Sequence, residues 1–85
     1  MSKNQDALGV PRVYAGFVVT PSEVLYLLKG TDVRQARIRR RMTLTSFARK
    51  CGWSKSYQHK LEVSRDNYVK TETARAIVES LGHEW

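Results

Sequence analysis

Apolar residues recur at helical spacing over most of this chain, and only near its start do they run together as a strand would. The stretch Val13-Tyr14-Ala15-Gly16-Phe17-Val18-Val19 is rich in β-branched and aromatic residues and predicts a short strand over 13–19, with Gly16 as a weak point or bulge. Thr20-Pro21-Ser22-Glu23 then carries the marks of a helix start. Threonine stands as N-cap, proline takes the first helical position, and glutamate lies three residues after the cap. A helix over 21–29 is expected from it, packed through Val24, Leu27 and Leu28 with Leu25 beside them, and ended by Gly30. The next helix is expected over 32–41, capped by Thr31 or Asp32, with Val33, Ala36 and Arg37 on its inward stripe.

Met42 and Thr43 break the pattern, and Thr43 is the expected cap of a helix over 44–51 whose buried face is Leu44, Phe47, Ala48 and Cys51. Gly52 ends that helix, because glycine takes a positive φ at no steric cost. Ser54 caps a following helix over 55–62 that buries Leu61; residues 63–70 read as a polar loop. From Thr71 a last helix repeats Ala74, Ile77, Val78 and Leu81 at i, i+3, i+4 and i+7 and stops at Gly82. Residues 1–10 are polar, unpatterned and expected to be disordered. The whole predicts five short helices after one strand-like segment.

Composition changes this picture in one respect. At 85 residues, 41% hydrophobic and 27% charged, the chain allows one small domain. Its single cysteine, Cys51, cannot form an intrachain disulfide, and no Cys/His spacing suggests a metal site. Neither a phosphate loop nor a nucleophile elbow is present, and His59 and His83 lack carboxylate support, so no enzyme, cofactor or metal is expected. No apolar run reaches the ~20 residues that span a bilayer, and the N-terminus lacks a signal architecture. A cytoplasmic protein is expected. The informative quantity is charge. Residues 31–62 hold nine basic groups and two acidic ones, a net +7 that equals the excess of the whole chain. A one-sign field so concentrated favours a polyanion, either nucleic acid or an anionic membrane.

The segment FARKCGWSKSYQHKLE (47–62) shows how that charge is presented. Two short helices cross steeply only where the backbones approach closely; Ala48 supplies the small side chain and Gly52 the sharp turn. Phe47, Cys51, Trp53 and Leu61 supply the shared core. This pattern, taken from Leu44, resembles the helix-turn-helix of the lambda-repressor-like (Cro/C1, XRE) family, except that Gln58 stands where the family has a hydrophobe. Family members also tend to pair an arginine of the first helix with a glutamate closing the third, which here implies Arg37 with Glu62; KTETARAIVESLG matches the fourth helix. Leu44 occupies a position where the family often has a glutamine, and only His83-Glu84-Trp85 follow Gly82 where the family usually adds a fifth helix. The resemblance covers about residues 32–82. It implies an all-α, compact bundle of about four core helices at 31–85, preceded by an extension at 1–30 with a strand and a helix.

By the same resemblance the third helix lies in the major groove, with Ser54, Lys55, Ser56, His59 and Lys60 facing the bases. Arg37, Arg39, Arg40, Arg41, Thr43, Arg49, Lys50 and Tyr57 are expected at phosphates, which set affinity and register without reading sequence. Gln58 is open to three readings: a buried amide hydrogen-bonded to nearby backbone, a helix rotated by half a turn that brings it to adenine, or a partly open site. The function implied is a sequence-specific double-stranded-DNA regulator, a small repressor bound as a homodimer to a palindromic operator, with no membrane or small-molecule ligand. The extension 1–30 is the expected dimerisation element. An antitoxin or a restriction-modification controller would share this chemistry, the antitoxin with an added protein partner. A protein-interaction adaptor that kept the fold without reading DNA is the rival from another class.

Overall fold

The computed structural model describes residues 10–22 and 25–85. These form β1 (Arg12–Tyr14), β2 (Phe17–Ser22), β3 (Leu25–Lys29), α1 (Gly30–Arg39), α2 (Leu44–Cys51), α3 (Lys55–Val63), β4 (Asp66–Val69) and α4 (Thr71–Ser80). The strands make one antiparallel sheet in the order β1-β2-β3-β4. The expectation of an all-α bundle is therefore corrected: four helices pack on a four-stranded sheet. The disordered start expected over 1–10 falls, apart from the exposed Val10, outside the described residues.

The largest correction lies at 21–29. No helix forms there among the described residues; β2 runs to Ser22, and β3 begins at Leu25. Glu23 and Val24, the acid of the expected capping box and a packing residue of that helix, lie outside the described residues. The register pairs Thr20 with Leu27, Pro21 with Tyr26 and Ser22 with Leu25. On its other side β3 pairs with β4, Tyr26 opposite Val69 and Lys29 opposite Asp66. Residues 25–28 form an apolar run that helix and strand can both use, and two partner strands decide the matter. Pro21 is tolerated because β1 ends opposite Val19, so the missing N–H removes no bond to that strand.

The expected strand 13–19 is in fact two, β1 and β2, joined at the turn Ala15-Gly16. The polar loop 63–70 contains β4. α1 starts at Gly30, with Lys29 as an N-cap that makes no side-chain bond, so Gly30 opens a helix where it was expected to close one, and neither Thr31 nor Asp32 is the cap. Residues 44–51 and 55–63, by contrast, form α2 and α3. Thr43 and Ser46 exchange backbone and side-chain bonds in a capping box, and Ser54 Oγ accepts from Tyr57 N.

Alternation along the strands gives the sheet one buried face. Phe17 and Val19 of β2, Tyr26 and Leu28 of β3 and Val69 of β4 join Val33, Ala36, Phe47, Leu61, Ala74, Ile77, Val78 and Leu81 from the helices in a single core. Trp85 closes one end: the Arg12 guanidinium lies 4.0 Å over its ring and donates to its carbonyl, and Tyr26 meets it edge-on. Residues 10–22 and 25–30 share one core with the helices, to which they contribute Phe17, Val19, Tyr26 and Leu28. The expected boundary at residue 30 falls at a tightly packed junction between α1 and the end of α3. A Cβ on Gly30 would stand 2.6 Å from the carbonyl oxygens of Leu61 and Glu62 and closer still to that of Ser64.

Two glycine replacements separate the steric from the conformational use of this residue. Gly52 has φ +93° and open space where a Cβ would point, so Gly52→Ala should cost the left-handed penalty of roughly 1–2 kcal/mol. Gly30→Ala forces backbone against backbone and should cost about 3 kcal/mol or prevent folding. Urea unfolding monitored by Trp fluorescence would order the two variants.

Candidate nucleic-acid interface

Gly52 supplies the left-handed residue between α2 and α3, and its N–H donates to the carbonyls of Ala48 and Arg49. The turn is short because Trp53 N also returns to Ala48 O. Phe47 and Ala48 face inward from α2, and Gln58, Leu61 and Glu62 face inward from α3. The opposite face of α3 is left to solvent: Ser54, Lys55, Ser56, Tyr57, His59 and Lys60 are all exposed.

Gln58 is wholly buried. Its Oε1 accepts from Trp53 Nε1 at 2.8 Å, and its Nε2 donates to Glu62 Oε2 at the same distance. Of its three readings the buried amide is the one that forms, but the expected backbone partners are corrected: the side chains of Trp53 and Glu62 satisfy it. A rotated α3 with Gln58 at a base is not what forms. Glu62 is held by Arg37 through two bonds, Nε to Oε2 at 2.7 Å and Nη2 to Oε1 at 3.0 Å, while Arg37 Nη1 donates to Met42 O at 2.8 Å. At 9% exposure, with Nε and both terminal nitrogens bonded, the Arg37 guanidinium is not free for a phosphate. Its part is structural: it joins α1, the break after it and α3.

The remaining expected phosphate residues divide by position. Arg49 and Lys50 are exposed on the last turn of α2. Thr43 spends its hydroxyl acceptor and its N–H in the cap of α2. Arg41 is the only non-glycine residue with positive φ among those described, at 59°, and projects from the turn between α1 and α2. Arg39 and Arg40 lean elsewhere. Arg39 would be met by a Cβ on Gly16, and Arg40 Nη2 lies 3.1 Å from His83 Nε2, so both are drawn toward the β1–β2 turn and the C-terminal turn. Tyr57 stacks edge-to-face on Trp53 with centroids 5.2 Å apart and keeps part of its ring exposed.

Electrostatically the two-helix unit is simple. Between Thr43 and Val63 the charged residues are Arg49, Lys50, Lys55, Lys60 and Glu62, and the one carboxylate is buried against Arg37. Every exposed charge of that segment is positive. Cys51 takes no part in this surface; Sγ lies 3.4 Å from Ser80 Oγ, and burial pushes its thiol above the ordinary range, with Ser80 and Lys50 opposing more weakly. Among the described residues no group of His, Cys, Asp or Glu could hold a metal, and no helix is long and apolar enough to cross a membrane. Comparison of the chain with protein-family models, curated proteins and solved structures gave no match.

Sequence reasoning missed two things. The partner of Gln58 is the indole of Trp53, five residues earlier, although its i, i+4 spacing to Glu62 was visible. It also missed β4, whose Tyr68 is exposed beside α3; the only signal was the β-favouring pair Tyr68-Val69, and Asp66-Asn67 before it speaks against a strand.

The network around Gln58 makes a prediction. Gln58→Leu restores the expected hydrophobe but leaves the Trp53 N–H without its acceptor and Glu62 short of a donor, and should destabilise the fold by about 2 kcal/mol. Gln58→Glu sets a second carboxylate against Glu62 and should be worse at pH 7 than Gln58→Leu, with part of the loss regained in acid. Thermal unfolding of both variants at pH 5 and pH 7 checks the order.

Proposed function

We propose that the chain is a sequence-specific double-stranded-DNA-binding regulator, with α2 and α3 as a helix-turn-helix of lambda-repressor-like kind built onto a sheet. The observation that carries this reading is the uniform sign of exposed charge over 43–63, on a face whose opposite side is fixed to the core. A solvated helical surface ordinarily mixes signs. A polyanion is the natural counterpart of one that does not. Lys55 and Lys60 have the donors to pair with guanine O6 or N7, and Ser54, Ser56 and His59 can donate or accept beside them. Arg41, Arg49 and Lys50 are the phosphate group in this reading. Ser54 also caps α3, which leaves its O–H free to donate outward.

One α3 spans only a few base pairs, so the protein acts as a homodimer on a palindromic operator and represses by occluding promoter DNA. A two-fold site also explains how so small a module reaches useful specificity.

Selection of bound duplexes from a random pool, followed by gel-shift titration, tests the proposal. A recovered site with two-fold symmetry is the expected result. Lys55→Ala should relax discrimination at one base pair by roughly 1–3 kcal/mol. Arg49→Ala should weaken all sequences alike and reduce the salt slope by about 0.9. An unmodified protein that binds no duplex at low salt sinks the reading and leaves a protein-interaction module in its place.

A further inference from the structure

β4 forms one edge of the sheet and follows directly from α3, so the last turn of the exposed helix and the open side of the strand face each other. Between them lies a groove of about 230 Å³ walled by Tyr57 and Lys60 of α3 and by Asp66 and Tyr68 of β4, with Ser64 at its end. The junction is rigid. Asn67 Nδ2 donates to Leu61 O at 2.8 Å and lies within reach of Leu28 O and Ser64 O, tying β4 to the last turn of α3 and to β3. Gly30 is wedged against the same carbonyls. Tyr68 points away from the core, opposite Leu27, and is 56% exposed.

We propose that β4 is a second wall of the DNA-binding surface, with the Tyr68 hydroxyl donating to a backbone phosphate beside the groove that α3 enters. The proposal rests on the DNA reading above and extends it to residues outside the two-helix unit. Three observations favour it. Tyr57 and Lys60, two of the residues assigned to DNA on α3, are also walls of this groove, so the surface is continuous. Of the residues lining the groove Lys60 is the cation, and the one acid, Asp66, is offset by Lys29 at 3.6 Å on the neighbouring strand, while the exposed Arg65 and Lys70 flank the lining residues of β4 in sequence. Finally, the groove is preset by Asn67, so a contact there needs no ordering of a loop. Tyrosine is suited to the site because it donates to phosphate without needing a charge of its own.

The test uses the full chain and a duplex recovered by selection, with thermal midpoints measured in parallel. Tyr68→Phe keeps the ring and should bind every sequence about five-fold more weakly, the loss of one hydrogen bond, at an unchanged midpoint. Its salt slope should not move, because no charge is removed. Asp66→Asn removes the one anion of the groove and should tighten binding about three-fold. If both variants bind like the unmodified protein while Lys55→Ala and Arg49→Ala are impaired, the interface ends at α3 and the proposal is overturned alone. A groove that instead receives an extended peptide along the β4 edge would give that same result. If the unmodified chain binds no duplex, this proposal falls together with the DNA reading.

Discussion

A buried arginine is stable only if its charge and its donors are matched, and in this molecule matching Arg37 determines where much else must be. Glu62 neutralises it from α3, and Met42 O takes the remaining arm in the break after α1. Glu62 in turn accepts from Gln58, and Gln58 accepts from Trp53 in the turn between α2 and α3. Four side chains and one carbonyl therefore fix the first helix, the break after it, the turn and the third helix in one arrangement. Removing a single member leaves a buried charge or polar atom unmatched, which is far costlier than losing an exposed pair such as Arg75–Glu79. Among the described residues no buried side-chain nitrogen or oxygen lacks a partner, so the network is closed.

A second constraint is steric and lies at the far end of α3. Gly30 enters α1 against the carbonyls that α3 leaves free, and Asn67 bonds one of those carbonyls from β4. The helix end, the first residue of α1 and the edge strand thereby share a small volume. The consequence for function is positional. α3 is held at its start by Trp53 and Gln58, along its length by Glu62 and at its end by Asn67, and only the face bearing Lys55, His59 and Lys60 is left to solvent.

The charge distribution follows the same division. Acidic residues lie outside α2 and the exposed face of α3, and the middle third of the chain carries a net +7. Not all of that charge is turned one way, however. Arg37 is internal, and Arg39 and Arg40 lean toward Gly16 and His83, so the cationic face of the two-helix unit is built from fewer residues than the linear count implies. Counting charge along a sequence measures the field a segment can make. Its direction depends on packing.

What the chain determined by itself were the elements whose signals are local. Thr43 with Ser46, Gly52, Ser54 and the i, i+3, i+4, i+7 repeat from Ala74 to Leu81 each act within one or two helical turns, and α2, α3 and α4 form where those residues stand. Lys55, His59 and Lys60 were expected on the outer face of α3 from the family resemblance, and all three are exposed. Tertiary structure decided the rest. Thr20-Pro21-Ser22-Glu23 carried a helix signal, but strand pairing joins residues distant in sequence, and Leu25–Lys29 gain two partner strands at once, one of them β4 some forty residues further along. β4 itself had no local mark strong enough to be noticed. Gln58 was ambiguous for the same physical reason: its identity as a polar residue was plain, but whether an amide is satisfied depends on what surrounds it, and Trp53, Glu62 and Arg37 meet there only in the folded chain.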